Sequence, residues 1–176
     1  MFYFYPSIFH LKIQDYFSNQ INMDKPGKKF SLSDLIIRDY RPSDYENIMK
    51  LWEQTGLGNA WRGDDRKIIE QSIEMGGKLL VVEDKAGMLL ATSWMTFDGR
   101  RLLLHHFGVK PEYQRMGIGK LLTIESIRFG KEKGYKMKLE VHQTNQAAIE
   151  LYKGLGFQYL GDYDVYILLD YNKAGI

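Results

Sequence analysis

Two stretches of this sequence hold residue types whose spacing can do chemistry. The first runs Val109-Lys-Pro-Glu-Tyr-Gln114-Arg-Met-Gly117-Ile-Gly119-Lys-Leu-Leu122 and reads as a strand end, a tight turn and a helix start. Glycines at 117 and 119 permit close backbone approach, so N–H groups of the turn can converge on an anion, and the positive end of the helix dipole adds to the attraction. A pyrophosphate fits such a seat. Lys110 through Lys138 contains eight basic and three acidic residues, a local charge of +5 in a chain whose total is +2. Arg115 and Lys120 stand where a bare helix dipole disfavours cations, a conflict that a bound anion removes. A solvated basic helix face accounts for the same charge run without a ligand. No Gly-Lys-Ser/Thr follows the turn and G-x-G-x-x-G spacing is absent, so neither a Walker A loop nor a dinucleotide fingerprint is read.

The second stretch is Leu139-Glu-Val-His-Gln-Thr-Asn145-Gln-Ala-Ala148-Ile-Glu-Leu151-Tyr152-Lys-Gly-Leu155-Gly156-Phe157. Ala148, Leu151, Tyr152 and Leu155 form the apolar stripe of a helix. Asn145 and Tyr152 lie seven residues apart, hence on nearly one stripe and about 10 Å from each other. One can hold a ligand's arm while the other works at its end. Taken singly, Asn145 also reads as a helix N-cap and Tyr152 as a core aromatic.

The elements that must position these residues alternate from Ile36 onward. A short strand at Leu35 to Arg38 leads into a helix that Ser43 and Glu46 open as a capping box, with Tyr45, Ile48, Met49 and Trp52 as its apolar stripe. A second helix, capped by Asp64 or Asp65, carries Ile68, Ile69 and Ile73. Three strands follow, at 78–83, 88–94 and 102–109, turned by Asp84 to Gly87 and by Asp98-Gly99. Then come a long helix from Gly117 to Lys133, a strand at 137–141, a helix from Asn145 to Leu155, and strands near Tyr159 and at 165–169. The order βααβββαβαββ gives an α/β (α+β) domain. The predicted division is a domain over 35–171, an aromatic-rich appendage and linker over 1–34, and a tail over 172–176. The appendage could pack on the domain, mediate self-association, or precede a start at Met23.

Composition narrows the functional classes. With 176 residues the chain holds about one domain. The absence of cysteine excludes disulfides, thiolate zinc sites and a thiol nucleophile, and four histidines leave little for a metal site. A net charge of +2 argues against a nucleic-acid coat. No apolar run approaches a membrane span, and the first residues lack a signal peptide's basic region, so a cytoplasmic location is expected, with no membrane partner.

Together the two stretches resemble the Gcn5-related N-acetyltransferases over roughly Ile36 to Asp170. The family's acetyl-CoA loop pattern is matched by Gln114, Gly117 and Gly119, and its second signature by Asn145, Ala148, Tyr152 and Gly156-Phe157. The opening around Arg41 to Leu57 is similar to bacterial members of unassigned or small-amine substrate, while Leu139-Glu140-Val141 with Asn145 and Tyr152 resembles ribosomal-protein N-terminal acetyltransferases. The resemblance implies a splayed mixed sheet, with acetyl-CoA entering between the strand ending at Val109 and the strand around Leu139. Val109 would pair with the pantetheine arm, the backbone of Gln114, Arg115, Met116, Gly117, Ile118, Gly119 and Lys120 would hold the pyrophosphate, and Asn145 would lie near the arm. Gln114 stands where an arginine is commoner. A homodimer, frequent in the family, stays open.

The reaction so implied is direct acetyl transfer to a primary amine: a small amine, a protein or peptide N-terminus, or a lysine. At pH 7 about one lysine amine in a thousand is unprotonated, against roughly a tenth of α-amines, so the former needs a base more. By the resemblance Glu140 is the leading base, acting through water, with His106 and His105 behind it; Tyr152 donates a proton to the departing thiolate. Alternation along a strand lets at most one of the two histidines face the cleft. A non-catalytic module that binds CoA is the competing reading. Acceptor choice falls to the first two helices and the loop from Gly56 to Asp64, in which Trp61 and Arg62 are candidate lid residues.

Overall fold

The computed structural model describes residues 31–58 and 64–161. The appendage before Ser31, Trp61, Arg62 and the strand read at 165–169 lie outside the described residues. The chain divides into two compact units, residues 1–140 and 141–176. In the first, β1 (Ile36–Asp39), α1 (Tyr45–Gln54), α2 (Arg66–Glu74), β2 (Lys78–Glu83), β3 (Leu89–Phe97), β4 (Arg101–Val109), α3 (Ile118–Lys133) and β5 (Lys136–Leu139) follow one another. The second carries α4 (Gln146–Gly154). No strand forms from Phe157 through Gly161, where Tyr159 and Leu160 are exposed.

Among the described residues five strands lie in sequence order in one sheet, antiparallel from β1 to β4 and parallel between β4 and β5. Local chemistry sets most of the turns. Asp84 accepts hydrogen bonds from the amides of Ala86 and Met88, and Asp98 from those of Arg100 and Arg101; in each case a carboxylate replaces ladder partners while the chain reverses. α3 ends at Gly134, whose φ of 73° suits the residue after a helix.

Helices cover both faces of the sheet, as a sheet apolar on both sides requires. On one face Ile48, Leu51 and Trp52 of α1 and Ile69 of α2 pack with Leu79, Val81, Leu89 and Trp94. Trp52 and Trp94 stack at 5.6 Å; the indole N–H of the first donates to Thr92 and that of the second to Ser72, so neither is buried without a partner. On the other face α3 meets β3 through a 2.8 Å hydrogen bond between Ser126 and Ser93, and Gly130 lets Leu102 and Met137 approach it.

The entry to α1 differs from the sequence expectation. Ser43 and Glu46 do not form the box. Asp44 does the work instead, its carboxylate accepting from the Arg41 amide at 2.7 Å and from both terminal nitrogens of Arg38, at 2.7 and 2.8 Å. Arg38 also reaches Glu83 on β2, at 2.9 and 2.6 Å. One guanidinium thereby joins β1, the turn before α1, and β2. Burial pushes the Asp44 carboxyl up, but hydrogen bonds from Arg38 and Arg41 outweigh it and hold the group below its ordinary range. A carboxyl whose folded pKa is depressed contributes stability above its unfolded pKa and loses it as pH falls through the folded value. Arg38→Met strands two largely buried carboxylates and is expected to cost about 3 kcal/mol. Urea unfolding at pH 7 measures this loss, and acid unfolding of the variant should begin at higher pH than in the wild-type chain.

Candidate functional site

In the first unit the site grows from the end of β4. This strand pairs with β5 from Arg101 opposite Lys136 to Leu104 opposite Leu139, and β5 then ends. Along its other edge β4 continues beside β3 to Val109 opposite Ala91. Among the described residues, β4 therefore has no strand beyond β5's end from His105 to Val109. The Lys110 amide donates to Leu90 of β3 at 2.9 Å. Because backbone amides alternate direction along a strand, the Val109 N–H points away from β3, toward the open edge. The Val109 carbonyl accepts from Gln114 Nε2 at 3.0 Å. Gln114 thus braces the turn against the strand through its side chain.

The turn after β4 is anchored by Tyr113, Met116 and Ile118, all buried, while Gln114, Arg115 and Lys120 are exposed. Arg115 and Gly117 take positive φ, 65° and 85°. Left-handed residues spaced this way turn successive amides toward a common point. Gly117 is also the N-cap of α3 and has no side chain to offer; the first intrahelical bond runs from Leu121 N to the Gly117 carbonyl. The amides of Ile118, Gly119 and Lys120 therefore have no helical acceptor, and no acid occupies the first turn. This chemistry fits a diphosphate, and the loop residues expected to hold acetyl-CoA come together here.

The two histidines depart from simple alternation. Thr92 opposes Gly108 but Trp94 opposes His105, so β4 carries one extra residue, a bulge, with His106 at φ 31°. A bulge flips the side-chain order locally, and both imidazoles lie on the α1/α2 face. His105 Nε2 is 2.7 Å from Thr96 Oγ1 and its ring 5.8 Å from Trp94. His106 is buried, 4.2 Å from the Trp52 ring and 5.3 Å from Trp94, with Nε2 3.0 Å from Asp64 Oδ2. Glu140 follows β5 directly, is exposed, and lies 3.1 Å from Lys138 Nζ. Lys138 opposes Leu103, whose row includes His105. Among the described residues no group of three or more His, Cys, Asp or Glu could hold a metal, and no helix is long and apolar enough to cross a membrane.

In the second unit Asn145 caps α4, its Oδ1 accepting from the Ala148 amide at 3.2 Å. Tyr152 is buried, with its ring 5.5 Å from Phe157 in an edge-on arrangement, and burial pushes its phenol up to about 12. From the sequence, Asp64 reads as a candidate cap and as the last residue of the acceptor loop, with no partner assigned. Asp65 is the cap, accepting from Ile68 N at 2.9 Å. The doubled acid, where one suffices, was the signal available.

Residues 35–157 match the family model described as acetyltransferase (GNAT) family. The Sodalis glossinidius protein named acetyltransferase SG1711 is 29% identical over 123 residues, 69% of this chain and 86% of that protein. The Salmonella typhimurium protein yncA, solved with its cofactor acetyl-CoA, superposes with a TM-score of 0.62 at 25% identity, over 73% of this chain and 82% of that one. The ribosomal-protein-S18-alanine N-acetyltransferase from Escherichia coli superposes with a TM-score of 0.61 at 22% identity, over 70% of this chain and 77% of that one.

Proposed function

Because the chain belongs to the GNAT family of acetyltransferases, we propose that it transfers the acetyl group of acetyl-CoA directly to a primary amine. The carrying observation is the combination, among the described residues, of a β4 edge that no strand pairs beyond β5 and a helix start with no side-chain cap behind the left-handed Gly117. The turn from Gln114 to Lys120 binds the diphosphate through its amides, and Arg115 and Lys120 add positive charge. Val109 N–H donates to the oxygen that gains charge as the carbonyl carbon is attacked, a contribution of about 3 kcal/mol for one well-placed donor. Tyr152 donates to the leaving sulfur, and Asn145 orients the arm.

Glu140 takes the amine proton through water. Its exposure supports this role, as the acceptor arrives from solvent, whereas the burial of His106 suits a group acting behind the surface. CoA release is to be followed with spermidine, an alanyl peptide and an end-blocked lysyl peptide as acceptors. Amine-dependent release supports the transferase; acetyl-CoA binding without it supports a non-catalytic module. With an acceptor in hand, Glu140→Gln is expected to lower kcat/KM about 100-fold and to remove the acid limb of its pH profile. A retained limb moves the base elsewhere.

A further inference from the structure

The described ends of the connection between α1 and α2, at Thr55 to Leu57 and at Asp64, reach β4 at two neighbouring points. A Cβ on Gly108 would lie 2.7 Å from Leu57 Cδ1 and 3.1 Å from Thr55 Oγ1, so the segment after α1 rests directly on the strand. At the other end of the connection, Asp64 reaches His106 Nε2 at 3.0 Å. Both points lie beyond Leu104, where β5 no longer accompanies β4. They are on the α1/α2 face, since α3 covers the other. An acceptor coming to the open edge of β4 from this face meets Asp64.

Three features of this pair point toward the site. Asp65, not Asp64, is the residue that caps α2. The His106 side chain keeps only 4% of its surface exposed and is clasped by two tryptophans, whereas that of Asp64 keeps 18%. One partner is thus buried and the other reaches the surface. Finally, His106 holds φ 31°, a conformation that costs a non-glycine residue free energy and persists where surrounding structure enforces it, often at functional sites. The bulge puts the imidazole where it can grip the carboxylate; regular alternation would turn it to the α3 face.

We infer that Asp64, oriented by His106, is the carboxylate that receives a positively charged acceptor amine beside the opening between β4 and β5. This rests on the acetyltransferase reading and adds to it two residue roles. Asp64 accepts a charge-assisted hydrogen bond from the acceptor's ammonium or from a second cationic group on it. His106 is a positioning residue, fixing the carboxylate from behind. Glu140, just past the end of β5, then handles the proton.

The test uses the full chain with spermidine, an alanyl peptide and an end-blocked lysyl peptide. Asp64→Asn keeps an oxygen acceptor toward His106, so the fold should stand, and a melting curve checks it. For whichever acceptor the wild-type chain uses, the variant should show an acceptor KM raised about 10- to 100-fold, with kcat and the acetyl-CoA dissociation constant changed less than about threefold. His106→Gln should raise the same KM by a smaller factor. An unchanged acceptor KM in Asp64→Asn overturns the inference while leaving the transferase intact. So does a fall in kcat without a change in KM. Acetyl-CoA binding with no turnover of any amine by the wild-type chain overturns the transferase reading and this inference with it.

Discussion

Tyr152→Phe is expected to lower kcat about 100- to 1,000-fold while leaving the acetyl-CoA dissociation constant within about threefold of wild type. The ring packs edge-on against Phe157 in a buried setting, and phenylalanine keeps that packing, so the change removes a hydroxyl and little else. What the hydroxyl does follows from its proton affinity. Burial raises the phenol to about 12, whereas a departing thiolate has a conjugate-acid pKa of about 8.5. Complete transfer from phenol to sulfur is uphill by about 3.5 units, so in the role proposed for it Tyr152 would stabilise the leaving group as a hydrogen-bond donor without being depleted at working pH. The alkaline limb of the rate profile should therefore be the same in wild type and variant. The folding contribution has the opposite sense at high pH. A raised phenol pKa contributes stability below about 10 and loses it as pH climbs toward 12, so the variant should lose less stability over that window. Unchanged turnover with a good acceptor returns Tyr152 to the role of a core aromatic.

Features that depend on neighbouring residues were legible in the sequence, and those that depend on distant ones were not. Asp84, Asp98 and Gly134 announce their turns because the partner of each lies within four residues. Gly117 and Gly119 marked the loop for the same reason. Asp44 was missed as the organiser of the α1 entry because its strongest partner, Arg38, belongs to β1, and that arginine's other partner, Glu83, is 45 residues further on. The bulge at His106 was invisible because it exists only as a mismatch of register with Thr92 and Trp94. A rule of alternation applied to β4 alone then separates two imidazoles that the structure turns to one face. Asp64 falls between the two cases: the doubled acid was readable, while its partner 42 positions away was not.

The second large effect expected is on the cofactor seat. At Gly117, φ of 85° is open to glycine and strained for any residue with a Cβ, most of all a branched one. A Cβ there would also stand 3.0 Å from Leu32 Cδ1, but that methyl is a side-chain end that can yield, so the backbone strain decides. Rotating Gly117 out of the left-handed region redirects the amides of Ile118 and Gly119, and losing two charge-assisted hydrogen bonds of about 1.5 kcal/mol each lowers affinity about 100-fold. Gly117→Val is expected to weaken acetyl-CoA by that factor in a calorimetric titration, and Gly117→Ala by about tenfold, with the helix itself retained because its first bond accepts at the Gly117 carbonyl. The ordering of the two variants carries the argument. Strain grows with branching at Cβ, whereas binding carried by the Arg115 and Lys120 charges alone would leave both variants at wild-type affinity. Wild-type affinity in both variants would mean that the diphosphate is not bound by these amides, and the assignment of the turn from Gln114 to Lys120, with the acetyl-transfer geometry built on it, would fall.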